Sequence, residues 1–179
     1  SPNLPPEDRF RVTYLLGEAN YMHGDVSAAR DIFHGLALKF GYDRQNTLFN
    51  WAICSLQLGD ASAFKVAFRE LEERKPREDL LGELLFDKGL MEAKSGNASA
   101  DETLRSFIEQ FPHDPQTAQA QLIQAELRMN GQPPDLIGAR NALSTLANSG
   151  DSRVDEKADR IKFFLAASDP SQTARSVQA

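Results

Sequence analysis

The residues with the most distinctive chemistry in this chain are three histidines, His23, His34 and His113, and one cysteine, Cys54. Metal binding and proton transfer need such groups to converge with partners. Here they fall in separate segments: a helix end, the middle of a second helical pattern, and a turn. No His-Glu-x-x-His pattern, Cys/His zinc spacing, glycine-rich phosphate loop or Gly-x-Ser-x-Gly elbow occurs. Asp31 and His34 stand at i, i+3, close enough to touch on a helix surface, but no third group joins them, so the pair reads as a solvated surface contact. A single thiol can form neither an internal disulfide nor a structural zinc site. Cys54 lies beside Ile53 and near Leu56, which marks it as a small core residue. The sequence therefore predicts no catalytic residue, no metal site, no cofactor and no enzymatic activity.

Charge narrows the partners. The formal net charge is −6, divided evenly: residues 1–90 carry 11 basic and 14 acidic side chains, and residues 91–179 carry 9 and 12. Phosphate backbones demand clustered Lys and Arg. The nearest cluster, Arg74-Lys75-Pro76-Arg77, is flanked by Glu72, Glu73, Glu78 and Asp79 and reads as a solvated helix end, so no nucleic-acid partner is expected. No apolar run approaches the ~20 residues that span a bilayer, so no membrane insertion is expected. The start, Ser1-Pro2-Asn3-Leu4-Pro5-Pro6, reads as a Pro-rich linker and lacks Met, as an excised piece of a longer protein would. Asn97-Ala98-Ser99 matches a glycosylation acceptor in an exposed turn, a short pattern that carries little weight by itself.

The elements that position these residues repeat. Gly24-Asp25 is followed by Ala29, Phe33 and Leu36, and Gly59-Asp60 by Phe64, Phe68 and Leu71, each 35 positions on. A third copy, from Gly96-Asn97, places Ala100, Leu104 and Phe107; a fourth, from Gly131, places Ala139, Leu143 and Leu146. In each copy the three residues sit at i, i+4, i+7, one face of a helix. The glycine supplies the positive φ that ends one helix, and in three copies Asp or Asn can cap the next. This predicts helix pairs at about 7–22 with 26–40, 45–58 with 61–75, 78–95 with 99–111 and 116–130 with 135–148, then a capping helix at 153–167. The last helix carries Val154, Ala158, Ile161 and Leu165 on an apolar stripe broadened by Phe163 and Phe164. The expected organisation is a linker over 1–6, one solenoid domain over 7–168 and a disordered tail over 169–179.

A period near 34 with Gly-Asp, a small residue, and aromatic and Leu positions resembles the tetratricopeptide repeat (TPR). The first copy, with Leu16-Gly17, Gly24-Asp25, Ala29, Phe33 and Leu36, matches best; Asn20 stands where the pattern has an aromatic, Tyr21 follows it, and Gly41 replaces the terminal Pro. The resemblance implies an all-α fold: a right-handed α-α superhelix of about four helical hairpins plus a C-terminal capping helix. The stretch Phe107-Ile108-Glu109-Gln110-Phe111-Pro112-His113-Asp114-Pro115 resembles a turn of bacterial cell-envelope TPR proteins, of the outer-membrane assembly lipoprotein and Tol-Pal coordinator type. It implies a periplasmic or envelope setting. Physically, Pro112 stops one helix, while Asp114 and Pro115 suit the start of the next.

In this family the first helices line a concave binding surface. Helical phase then nominates Arg11, Tyr14, Glu18 and Tyr21 in the first repeat and Asn46, Phe49, Asn50 and Ile53 in the second. Phe86 is nominated in the third, with Gln121 and Arg128 in the fourth. Trp51 reads as interhelical packing. The mixture of aromatics and Asn amides suits an extended or helical peptide. The carboxylate clamp of chaperone-binding members is absent: Tyr14 and Glu18 stand in its first places, Asn50 fits the second, and Glu83 and Asp87 stand near the third. The expected function is a non-catalytic scaffold or adaptor for a protein or peptide partner. The competing expectation is a module that forms a homodimer through its last helix.

Overall fold

The computed structural model describes residues 4–39, 41–144, 146 and 150–168. Among these the chain is all-α: α1 (Pro6–Met22), α2 (Val26–Lys39), α3 (Arg44–Gln57), α4 (Ala61–Glu72), α5 (Glu78–Lys94), α6 (Ala100–Gln110), α7 (Thr117–Asn130), α8 (Leu136–Ser144) and α9 (Ser152–Ala167). The described residues contain nine helices and no strand. Contacts divide the chain into two compact units, Ser1–Leu84 and Leu85–Ala179, and α5 runs through the division.

The helix ends follow local chemistry. Gly24, Gly59 and Gly96 hold φ of 86°, 70° and 69°. At each, the glycine N–H bonds the carbonyl three residues back and the next residue's N–H bonds the carbonyl five back: Asp25 to Asn20, Asp60 to Ser55, Asn97 to Glu92. This double closure needs a left-handed residue at its centre, which glycine adopts without steric cost. Asp25 then caps α2 by accepting from Ala28 N–H, and Asp60 caps α4 by accepting from Ala63 N–H. The fourth junction departs from the pattern, because Gly131 is extended and Asp135 supplies the cap, accepting from Gly138 N–H.

Several expected boundaries move. α1 begins at Pro6, inside the expected linker: a proline at the first helical position loses no hydrogen bond, and Glu7 and Asp8 favour the helix N-terminus. α4 stops at Glu72, short of 75, because Lys75 precedes Pro76 and takes a φ of 47°. α7 begins at Thr117, so Pro115 lies before the helix, and Asp114 accepts from Gln116 N–H in the turn instead of capping the helix. α8 is helical through Ser144; most of its expected extension to 148 lies outside the described residues, as do Phe40, the linker's first three residues and the expected tail from 169.

Unit 1 is built on α1 to α4, each packed on the next, with the start of α5. Its core holds Phe10, Phe33, Leu36, Leu48, Phe64, Leu71 and Leu84. Unit 2 has two apolar clusters: Phe86, Leu104, Phe107 and Ala120, and separately Leu122, Ala125, Leu143, Ala158 and Leu165. Close helix packing within each unit depends on a missing side chain. A Cβ on Gly17 would stand 2.8 Å from the Phe33 ring, and one on Gly89 would stand 2.6 Å from the Leu104 side chain. The equivalent places on α3 and α7 hold Ala52 and Ala125, both fully buried. Phe68 is half-buried and stacks on Phe64, so Ala67 joins Phe64 and Leu71 on the buried face of α4.

Candidate functional site

His34 and Cys54 occupy structural places, and His23 and His113 are exposed. His34 stacks on Trp51 with ring centroids 4.4 Å apart, and Trp51 is buried. Asp31 accepts from Arg30 instead of meeting His34. Burial pushes the Cys54 thiol up to about 11, which keeps it protonated and a poor nucleophile at neutral pH. Among the described residues no group of three His, Cys, Asp or Glu could hold a metal ion, and no helix is long and apolar enough to cross a membrane.

A different arrangement stands out in unit 1. α1 and α3 both pack on α2, and two hydrogen bonds join them side by side. Asn50 Nδ2 donates to the Tyr14 hydroxyl at 2.8 Å, and Gln57 Nε2 donates to the Tyr21 hydroxyl. Tyr14 and Tyr21 are seven residues apart on α1, as are Asn50 and Gln57 on α3, so each pair recurs after two turns on matching faces. The Tyr14 ring is fixed from behind by an edge contact to Phe33 at 5.4 Å and from beside by Phe10 at 5.7 Å. Burial pushes the Tyr14 phenol up to about 12, helped by the carboxylates of Glu18 and Asp43 and opposed by the Asn50 hydrogen bond.

Beside Tyr14 lies a hollow of about 500 Å³, lined by Glu7, Phe10, Arg11, Tyr14, Leu15, Glu18, Tyr42 and Asp43. Phe10 and Tyr42, both in its lining, touch with ring centroids 5.7 Å apart. Leu15 is 61% exposed. Asp43, at φ 39°, heads the turn into α3. The hollow thus has an aromatic floor, an apolar wall and a charged rim.

The structure gathers Arg11, Tyr14 and Glu18 at this hollow and bonds Asn50 to it through Tyr14. Tyr21 lies farther along the same face. Phe49 and Ile53 are half-buried against the unit 1 core, and Asn46 Nδ2 donates to Asp43. The unit 2 candidates depart from expectation. Phe86 is 2% exposed and packs on Phe107, with centroids 5.4 Å apart. Gln121 is buried. Arg128 is taken up by Asp101, in a bidentate pair at 2.8 and 3.0 Å, and by the Gly138 carbonyl. All three serve packing within unit 2. Lys88, Glu92 and Thr103 do likewise, joining α5 to α6 through bonds of 2.6 to 2.8 Å.

Helical phase alone misses five lining residues. Glu7 and Phe10 open α1 before its pattern is established, Leu15 looks like a core leucine, and Tyr42 and Asp43 belong to a turn with no period. The Asp43 position had one usable signal: Gly41-Tyr42-Asp43 interrupts two helical patterns, and Asp tolerates left-handed φ better than most residues. No family model, no curated protein and no solved structure matches the chain.

Proposed function

We propose that this chain is a protein-interaction module of tetratricopeptide type, a right-handed superhelix of about four hairpins closed by α9, and that it holds a partner polypeptide on the α1–α3 face. The observation that carries the reading is that face: two tyrosine–amide bonds align the helices, and an aromatic hollow beside them stays open to solvent. Rigid aromatic surface of this kind anchors polypeptides at small entropic cost. Three like glycine closures and the Gly17 and Gly89 packing support the family reading. The module acts by binding and not by catalysis, and the envelope-type turn at Phe111-Pro112 makes a bacterial envelope its proposed setting.

Affinity capture tests this with the chain and its Tyr14→Ala/Asn50→Ala variant, each checked for helicity. A partner retained by the parent and lost by the variant supports the reading. Equal capture by both removes the α1–α3 face from it. A second reading, self-association through α9, is favoured by Phe163 and Phe164, 78% and 52% exposed on one helix. Light-scattering mass over a concentration series decides it: a dimer that Phe163→Ser/Phe164→Ser dissolves makes self-assembly the leading function.

A further inference from the structure

We propose that the hollow at the start of α1 and α3 receives a cationic side chain, lysine or arginine, presented by the partner polypeptide. This rests on the α1–α3 reading and names the chemistry of the residue that the face selects.

Three carboxylates line the hollow, Glu7, Glu18 and Asp43, against one guanidinium, Arg11. Three negative charges and one positive leave it at −2. Arg11 is committed to Glu7 at 3.1 Å, one turn back along α1. Among the described residues no ion pair engages Glu18 or Asp43; the Asp43 carboxylate accepts from the neutral amide of Asn46, and the Asp43 carbonyl from Thr47. Both carboxylates act on the Tyr14 hydroxyl between them, raising its pKa. Two carboxylates outside any ion pair thus line the hollow.

The walls specify the cation further. Phe10 is buried beneath Tyr14 and Tyr42, and the aromatic surface the two tyrosines add to the lining attracts ammonium and guanidinium groups. Leu15 and the ring edges suit the aliphatic stem of Lys or Arg, whose head then reaches the carboxylates. An acidic side chain would meet like charge from two sides.

Ring-proton NMR of Tyr14 and Tyr42 reads occupancy directly. The titrants are a blocked pentapeptide, acetyl-Gly-Leu-Arg-Leu-Gly-amide, and counterparts with glutamate or leucine at the centre. The arginine peptide is expected to shift both rings, with binding weakened by salt and about tenfold by Glu18→Gln/Asp43→Asn, since two attractive charges are removed. Asn suits the φ of 39° at position 43, so the variant keeps its turn. Glu18→Lys, which places the chain's own cation in the hollow, is expected to abolish the shifts. If the leucine or glutamate peptide shifts the same rings as strongly, the face binds peptides but does not select a cation. If no peptide moves Tyr14 or Tyr42, the cation site is overturned; the α1–α3 reading then stands or falls on the capture experiment.

Discussion

Tyr14 joins the packing of unit 1 to its open face. Its ring edge rests on Phe33, its hydroxyl accepts from Asn50, and two carboxylates stand nearby. A phenol pushed up to about 12 stays protonated in the folded chain while the unfolded phenol ionises near the ordinary value of about 10. The sign follows: above the unfolded pKa the unfolded state binds fewer protons, so this group's contribution is fully present below about 10 and declines as pH rises from there towards 12. In a spectrophotometric titration, one of the three tyrosines should ionise late. Glu18→Gln should bring that step down by removing a repelling charge. Three tyrosines ionising together, or a late step indifferent to Glu18, would show that the carboxylate does not face the phenol. Tyr14→Phe should cost about 1 kcal/mol in chemical unfolding, the usual net value of one hydrogen bond.

At the scale of the helix pair, contact is set by what is missing. Gly17 has the Phe33 ring where its Cβ would be, whereas Gly35, in α2, has nothing within 4 Å. Alanine favours a helix interior by about 1 kcal/mol over glycine, so the two substitutions should move stability in opposite directions. Gly35→Ala should stabilise by about 0.5–1 kcal/mol. Gly17→Ala should destabilise by about 1–2 kcal/mol, because displacing a packed ring outweighs the propensity gain. Thermal unfolding of both checks the signs; a rise in Tm for Gly17→Ala would mean that Phe33 can step aside. The hairpin rhythm was legible in the sequence because a glycine closure is local: Gly24-Asp25 and Gly59-Asp60 name their own turn. The faces were less legible. On α5, Leu80, Leu81, Leu84, Leu85, Phe86 and Leu90 surround the axis, and a helix apolar on all sides has no phase to read, so helical phase could not tell that Phe86 is buried against Phe107. The tyrosine–amide pairs need two helices in register, which no single helix discloses.

Over the whole chain, each compact unit carries its own buried clusters. If the chain is an array of hairpins, its stability is a sum of hairpin terms and nearest-neighbour interfaces. A lesion should then weaken its own surroundings first and leave distant hairpins protected. Leu143 is fully buried in the cluster that joins α7, α8 and α9. Leu143→Ala should cost about 2–4 kcal/mol there through lost transfer energy and a residual cavity. Native-state hydrogen exchange would then show faster exchange in α7–α9, while α1–α3 keep their protection. The Tyr14 and Tyr21 bonds, which lie within unit 1, should be undisturbed, so binding at the α1–α3 face should survive a substitution that loosens α8. Uniform acceleration across all the helices would make the chain one cooperative block.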